Sequence, residues 1–338
     1  MYELCGNHSV FGKTGFALGT GSIRGVKHAS VLHAALDLEI TIFEASGGSV
    51  GAFAAQSIGG SRTFEGARAA VSRYLDEFRE IDRDPAILFP PFFSFGKHPA
   101  RAIRYCRGLL SESRSSRYEG VLGSDRLFRL VRNLDPYRIV RPGGVRTHVR
   151  VSEDDGARSV HRVFSSDDSR FDPERGGNPQ DYIRIGVASA SIQGVFPPQE
   201  LWGKRYSDGD SVEILRLIEA GCDTIIVSLC CPDPAVENVS RSTSTRFWNR
   251  FHEHYIGFQT EAKNNDTLAE ANRIAEMLLR DYSRRVRIIP MYAEFPRALS
   301  QDACNLRNLY RFPSGALMEA YEMNYRSSYR FLERLLSS

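Results

Sequence analysis

Hydrophobic positions along the chain form short strand-like runs that alternate with longer segments of helical spacing. The strand-like runs lie at 15–18, 40–43, 201–206, 224–229 and 286–290. Apolar residues recur three and four positions apart at 26–36, 64–80, 127–131, 182–191, 212–220, 244–258, 266–281 and 315–336. Alternation on either side of Asp154-Asp155-Gly156 predicts a hairpin over 145–167. Because strands alternate with helices, the sequence predicts one three-layer α/β/α domain with a mostly parallel central sheet.

A pentapeptide of small residues, Gly47-Gly48-Ser49-Val50-Gly51, follows the predicted strand 40–43. Glycines here tolerate a strained backbone and leave room beside a hydroxyl group. A helix that follows such a turn directs its N-terminal amides at any anion formed nearby. Ser49 at the apex is therefore a candidate nucleophile, although the pentapeptide alone also fits an ordinary turn between a strand and a helix.

A second glycine-rich turn, residues 19–25, follows the predicted first strand and precedes the first helix. Its sequence is Gly-Thr-Gly-Ser-Ile-Arg-Gly. Backbone N–H groups at such a helix start bind a phosphate or an oxyanion equally well. One interpretation is a dinucleotide-binding fingerprint in which Glu44 would hold the ribose, although the third glycine comes one residue late for that motif.

Composition and charge indicate a globular protein with one basic region. The chain has 338 residues, of which 42% are hydrophobic, so it can bury a large core, and its formal charge of +3 names no partner. Residues 101–150 contain twelve arginines and no lysine against four acidic residues. Together with the aromatic, proline-broken segment 87–95, this region is a candidate contact for an anionic membrane surface. Segment 87–95 fits a core-filling loop as well as a lid.

Several functional classes have no signal in the sequence. The first eight residues lack the basic and apolar regions of a signal peptide, and no run reaches the roughly 18 apolar residues of a membrane span, so we expect a cytoplasmic protein. The six cysteines lack C-x-x-C spacing, which argues against a zinc site or a disulfide framework. His252 and His254 would face apart on a helix. We therefore expect no metal, no cofactor and no nucleic-acid partner, and no protein partner is indicated.

Three motifs, in this order, resemble those of the patatin-like phospholipase family over about residues 13–230. They are the turn 19–25, the pentapeptide 47–51, and a helix, proline-containing turn and Asp-Gly pair within 187–210. The resemblance assigns roles to matching positions: nucleophile Ser49 and base Asp208, oxyanion hole Thr20, Gly21 and Ser22, and supporting motif residues Arg24, Gly25, Gly47, Gly51 and Gly209.

The resemblance implies a lipid acyl hydrolase, of phospholipase A or lysophospholipase type, that acts through a Ser49–Asp208 dyad and an acyl-enzyme. It implies a single patatin-like domain over 1–338, in which 84–150 is a variable insertion or lid and 231–338 is a mostly helical continuation. The expected substrate is a phospholipid or another acyl lipid, with peripheral membrane contact through 101–150. The family usually has three successive glycines where this chain has Thr20-Gly21-Ser22, so the backbone amides are kept and two side chains are added.

Two alternative functions stay open on the sequence. One is an α/β-hydrolase triad of Ser49, Asp208 and either His252 or His254, although Ser49 lies earlier in the chain than that fold requires. The other is a catalytically degenerate patatin-like module that binds lipid or protein. The basic region 101–150 and the aromatic segment 87–95 would serve such a module equally well.

Overall fold

A mixed, mostly parallel sheet forms the centre of the molecule. The computed structural model describes residues 11–84, 87, 123–154, 159–192, 196–231, 258–296 and 313–337. Within them, the strands are β1 (Thr14–Leu18), β2 (Glu44–Gly48), β3 (Arg146–Asp154), β4 (Ser159–Ser165), β5 (Gln199–Leu201), β6 (Lys204–Ser207), β7 (Thr224–Ser228) and β8 (Arg287–Met291). Their order is β5-β6-β3-β2-β1-β7-β8, with β4 also pairing to β3. Strands β3, β2, β1, β7 and β8 are parallel neighbours, whereas β4, β5 and β6 pair antiparallel.

Helices cover both faces of this sheet. In the described residues they are α1 (Val26–Asp37), α2 (Val50–Ile58), α3 (Phe64–Arg83), α4 (Asp125–Leu130), α5 (Pro136–Ile139), α6 (Pro179–Ser189), α7 (Leu215–Glu219), α8 (Phe258–Tyr282) and α9 (Ala316–Ser337). Short 3-10 helices lie at Ser22–Gly25 and Pro173–Arg175. The predicted three-layer α/β/α fold is therefore confirmed.

The alternation of side chains along β1 divides the core into two layers. Phe16 and Leu18 join the larger cluster, formed with helices α1, α2, α3, α6 and α9. Ala17 points to the opposite face and joins the smaller cluster, formed with α7 and α8. Successive strand residues face opposite sides of a sheet, so one buried strand contributes to both layers.

Several elements differ from the sequence prediction. The second strand covers Glu44–Gly48 rather than 40–43, because small residues let it pack beneath α2: a Cβ on Gly47 would lie 2.1 Å from the Gly51 carbonyl oxygen. The predicted strand 201–206 is a hairpin of β5 and β6 that turns at Trp202-Gly203, where both φ angles are positive. The predicted helix 212–220 begins only at Leu215, since Val212 and Ile214 fill the smaller core cluster first.

Most of the remaining described elements agree with the prediction to within a few residues, but α8 begins at Phe258, eight residues before the predicted helix 266–281, and the short helix α5 was not predicted. The hairpin over 145–167 is confirmed by β3 and β4, whose connecting residues 155–158 lie outside the described residues. Helix α6 begins three residues earlier than predicted, because Asn178 caps its start and Pro179 occupies its first turn. Cys230 and Cys231 are buried, as expected, and neither forms a disulfide bond within the described residues.

Some sequence predictions fall on parts of the chain that the structure does not describe. These parts include most of segment 87–95, the basic stretch 101–122, and the predicted helix 244–258 up to residue 257, with His252 and His254. Among the described helices, none combines the length and the apolar character needed to cross a membrane.

Candidate active site

Strand pairing brings Ser49 and Asp208 together. Strand β4 pairs along one edge of β3, and β2 and β6 share the opposite edge, running towards each other. The last residue of β2 pairs with Arg150 and the last residue of β6 pairs with Ser152, two positions further along β3. Ser49 directly follows β2 and Asp208 directly follows β6. The two residues therefore meet where the strand ends lie about 7 Å apart along β3.

Ser49 occupies a sharp turn between β2 and α2. Its φ of 54° and ψ of −128° place a residue with a side chain in a sparsely populated backbone region. The turn is tight because Gly51 packs against the end of β1, where a Cβ would lie 2.1 Å from the Leu18 carbonyl oxygen. This geometry presents the Ser49 hydroxyl at the start of α2, as the sequence predicted.

The Ser49 hydroxyl donates a hydrogen bond of 2.9 Å from Oγ to Asp208 Oδ2. The other carboxylate oxygen, Oδ1, accepts the backbone N–H of Asp210 at 2.7 Å. The backbone of Asp208 is held at both ends, by its own N–H to the Ser191 carbonyl and by the Ser152 hydroxyl to its carbonyl oxygen. One carboxylate oxygen is thus fixed and the other is aimed at the serine, which suits direct removal of the serine proton.

Ser189, at the end of α6, connects the two loops that carry this pair. Its hydroxyl accepts the backbone N–H of Ser49 at 2.9 Å and donates to the Arg150 carbonyl oxygen at 2.5 Å. Its own carbonyl oxygen accepts the backbone N–H of Gly209 at 3.1 Å. The sequence motif contains Ser189 but gave it no role, because its partners are remote in sequence and only the fold reveals them.

The glycine-rich turn, residues 19–25, lies beside Ser49 and is here named the oxyanion turn. A Cβ on Gly25 would lie 2.3 Å from Val50 Cγ2, and a Cβ on Gly48 would lie 3.5 Å from Thr20 Cγ2. Within the described residues, the backbone N–H groups of Gly21 and Ser22 take no hydrogen-bond partner, and the buried Thr20 hydroxyl also has none. Ser22 adopts a φ of 51°, a conformation that glycine reaches more easily. These donors are suited to an oxyanion formed near Ser49.

His28, on α1, supports the start of the oxyanion turn. Its Nε2 lies 2.7 Å from the Gly19 carbonyl oxygen and its Nδ1 lies 2.9 Å from Ser228 Oγ. Because the carbonyl oxygen only accepts, Nε2 carries the proton and Nδ1 accepts from the serine hydroxyl. Burial lowers the pKa of His28 to about 3, so the ring is neutral across the physiological range.

Replacing His28 with glutamine should flatten the pH dependence of folding stability. The folded pKa is about 3 against an ordinary value of 6.5, so the unfolded chain binds more protons between these values and stability falls as the pH drops below 6.5. At pH 5 this penalty is about 2 kcal/mol in the wild type and absent in His28→Gln. Urea unfolding of both proteins at pH 7 and pH 5 measures it; equal losses would contradict the assignment.

The dinucleotide-binding interpretation does not fit this geometry. Glu44 pairs with Gly15 at the amino end of β1, whereas the oxyanion turn follows the carboxyl end of the same strand. The Glu44 carboxylate is also engaged by Arg146 and by His148 Nε2, the latter at 2.5 Å. A ribose bound at the turn would therefore not meet this acid.

Comparisons with known proteins bear on the fold. The sequence matches no protein-family model and no curated protein. Among solved structures, VipD from Legionella pneumophila is 13% identical, with 92% of this chain and 67% of that chain covered and a TM-score of 0.35. Human GIVD cytosolic phospholipase A2 is 9% identical, with 96% of this chain and 59% of that chain covered and a TM-score of 0.51. The chain thus spans 59% of the length of the human protein, and the likeness shows that the two share a fold.

Proposed function

We propose that this protein is a lipid acyl hydrolase, with Ser49 as the nucleophile and Asp208 as its general base. The observation that carries the proposal is the 2.9 Å hydrogen bond from Ser49 Oγ to Asp208 Oδ2, formed at a strained turn at the start of a helix. The fold shared with a cytosolic phospholipase A2 favours an ester of a lipid over other acyl substrates.

In the acylation step, Ser49 Oγ attacks the carbonyl carbon of the ester while its proton moves to Asp208 Oδ2. The carbonyl oxygen becomes an oxyanion that the backbone N–H groups of Gly21 and Ser22 and the amino end of α2 stabilise. When the tetrahedral intermediate collapses, the C–O bond to the alcohol breaks and Asp208 returns the proton to the leaving oxygen. The product is an ester of Ser49 with the fatty acid.

In the deacylation step, water takes the place of the alcohol. Asp208 accepts a proton from the water as its oxygen attacks the acyl carbon, and the same donors hold the second oxyanion. Cleavage of the bond to Ser49 Oγ releases the fatty acid, and Asp208 returns the proton to the serine. The dyad ends in its starting state without a cofactor.

The substrate proposed is a phospholipid or a related acyl lipid, taken from a membrane surface that residues 101–150 contact. Residues 1–338 are proposed to form one domain. Two contacts support the assignment of the C-terminal part to this domain. Strand β8 extends the central sheet beside β7, and α9 packs on α1.

Two assays test the proposal. A fluorophosphonate probe should label Ser49, and a medium-chain p-nitrophenyl ester and phospholipid vesicles should both be hydrolysed. Vesicle binding without labelling or turnover would instead favour a module that binds lipid without chemistry. Loss of turnover in His252→Ala, with folding intact, would favour the triad mechanism over the dyad.

Replacing Ser189 with alanine should lower turnover about tenfold, because the Ser49 backbone loses its hydrogen-bond acceptor and moves. Folding stability should fall by about 1 to 3 kcal/mol, since the Ser49 N–H is then buried without a partner. The matched control is Ser191→Ala, two residues beyond α6, whose hydroxyl donates to the Val187 carbonyl oxygen of that helix at 2.8 Å and does not contact the Ser49 N–H. Steady-state kinetics and thermal unfolding are measured for both variants. Equal losses of turnover and stability in Ser189→Ala and Ser191→Ala would contradict a specific role of Ser189 in holding Ser49.

A further inference from the structure

A short segment after β8, residues 292–296, lies against the oxyanion turn and is here named the strap. The guanidinium carbon of Arg24, in the turn, lies 5.1 Å from the ring centre of Phe295. The ammonium group of Lys27, one turn further along the chain, donates to the Tyr292 carbonyl oxygen. The strap therefore touches both the end of the oxyanion turn and the start of α1.

The strap is fixed from behind by Asn324, a fully buried residue of α9. The Asn324 side chain accepts the backbone N–H of Glu294 at 2.9 Å and donates to the Glu294 carbonyl oxygen at 2.6 Å. A further bond of 2.8 Å runs from the Ala293 N–H to the Cys231 carbonyl oxygen. A single amide thus clamps one strap residue on both sides of its backbone, which gives the segment one defined position.

Cys230 packs against the oxyanion turn on the side away from the strap. A Cβ on Gly21 would lie 2.3 Å from Cys230 Cβ, and the Cys230 thiol donates to the Arg24 carbonyl oxygen at 3.4 Å. The turn is therefore held between the end of β7 on one side and the strap on the other. The turn includes Gly21 and Ser22, whose N–H groups take no hydrogen-bond partner among the described residues.

Lys27 makes the strap contact costly to lose. Its side chain is buried, and burial lowers the pKa of Lys27 to about 7. A buried amine that is charged for part of the time needs its carbonyl partner, because an unpaired polar group in the interior costs free energy. The Tyr292 carbonyl supplies that partner, so movement of the strap would also disturb α1 directly behind the turn.

We propose that the strap, clamped by Asn324, sets the position of the oxyanion turn, so that Phe295 and Asn324 are positioning residues for the reaction at Ser49. The inference rests on the proposed function only for its kinetic consequence. An oxyanion donor acts over a hydrogen-bond length, so displacing the turn by about 1 Å reduces its effect strongly while substrate binding elsewhere is kept.

Hydrogen exchange and kinetics test the two parts separately. Exchange is measured on full-length wild type, Phe295→Ala, Phe295→Tyr and Asn324→Ala, at the hydrogen-bonded amides of Gly19 and Arg24. Turnover of the p-nitrophenyl ester is measured per active site, titrated with the fluorophosphonate. The size-matched control is Tyr329→Ala, which removes an aromatic ring from α9 that contacts Tyr325 and not the strap, with ring centres 6.1 Å apart.

We expect exchange at these amides to rise about tenfold in Phe295→Ala and Asn324→Ala, with kcat per titrated site falling about tenfold and KM within about twofold. Phe295→Tyr keeps the ring under Arg24 and should behave as wild type. Unchanged exchange in Phe295→Ala, or equal changes in Tyr329→Ala, would overturn the proposal. If the wild type does not turn over esters, the proposed function fails, and the exchange measurement still decides the role of the strap.

Discussion

Replacing Asp208 with asparagine is expected to reduce ester turnover by about 10³- to 10⁴-fold, and replacing Ser49 with alanine should reduce it at least as much. Asparagine keeps the shape of the aspartate, but its single oxygen accepts only one of the two hydrogen bonds, from Ser49 Oγ or from the Asp210 N–H, and it does not take up the serine proton. Alanine at position 49 removes the atom that forms the acyl-enzyme. Initial rates with the p-nitrophenyl ester and with phospholipid vesicles measure both losses.

Matched controls separate chemistry from folding. Ser57→Ala removes a buried hydroxyl of α2 that donates to the Ala54 carbonyl oxygen, and Asp181→Asn neutralises an acid that pairs with Arg184. Both should keep turnover within about twofold of the wild type. Wild-type rates in Asp208→Asn would contradict the dyad. The Ser49 and Asp208 losses should also not add in the double variant, because the two groups act as one unit.

Local sequence patterns predicted the parts of this site that one short segment builds. A serine between glycines, after a strand and before a helix, specifies a tight turn by itself, and Ser49 adopts it. The position of β2 was predicted wrongly because the hydrophobic run 40–43 looks more strand-like than the sequence Glu-Ala-Ser-Gly-Gly. Packing of α2 against the strand favours small residues there over the larger ones that propensity prefers.

Contacts between remote segments were beyond prediction from sequence. Ser189 accepts the N–H of a residue 140 positions earlier, and Asn324 clamps one 30 positions earlier. A serine at a helix end and an asparagine on an amphipathic helix are ordinary residues until the fold shows what they touch. The Asp-Gly pair was found only through a family resemblance, because two residues carry too little information to mark a base.

The largest expected effect on stability concerns a buried charge cluster at the amino end of the sheet. The Glu44 carboxylate, 2% exposed, meets Arg146, His148 and, at 3.9 Å, Lys13 Nζ. Burial alone would raise the pKa of Glu44, but hydrogen bonds from His148 and Arg146, with their charges, outweigh it and leave the pKa lowered. The cluster is therefore stabilising only while Glu44 is ionised.

Replacing Arg146 with methionine should destabilise the fold by about 2 to 3 kcal/mol at pH 7, because it leaves a buried carboxylate without its guanidinium partner. This destabilisation is smaller than the usual cost of breaking a buried ion pair, because the Arg146 side chain is 38% exposed and solvent screens part of its charge. Urea unfolding of wild type and Arg146→Met at neutral pH measures the difference.

The pH dependence of that difference identifies its cause. A carboxylate whose folded pKa is lowered contributes stability above its ordinary value of 4.5 and loses it as the pH falls through the folded pKa. The free energies of unfolding of wild type and Arg146→Met should therefore converge as the pH falls below 4.5 and through the lowered folded pKa of Glu44. Arg79→Met is the control, since its pair with Asp76 is exposed and worth less than about 0.5 kcal/mol. A difference that stayed constant down to pH 3 would mean that Arg146 stabilises the sheet through packing of its side chain and not through the charge of Glu44.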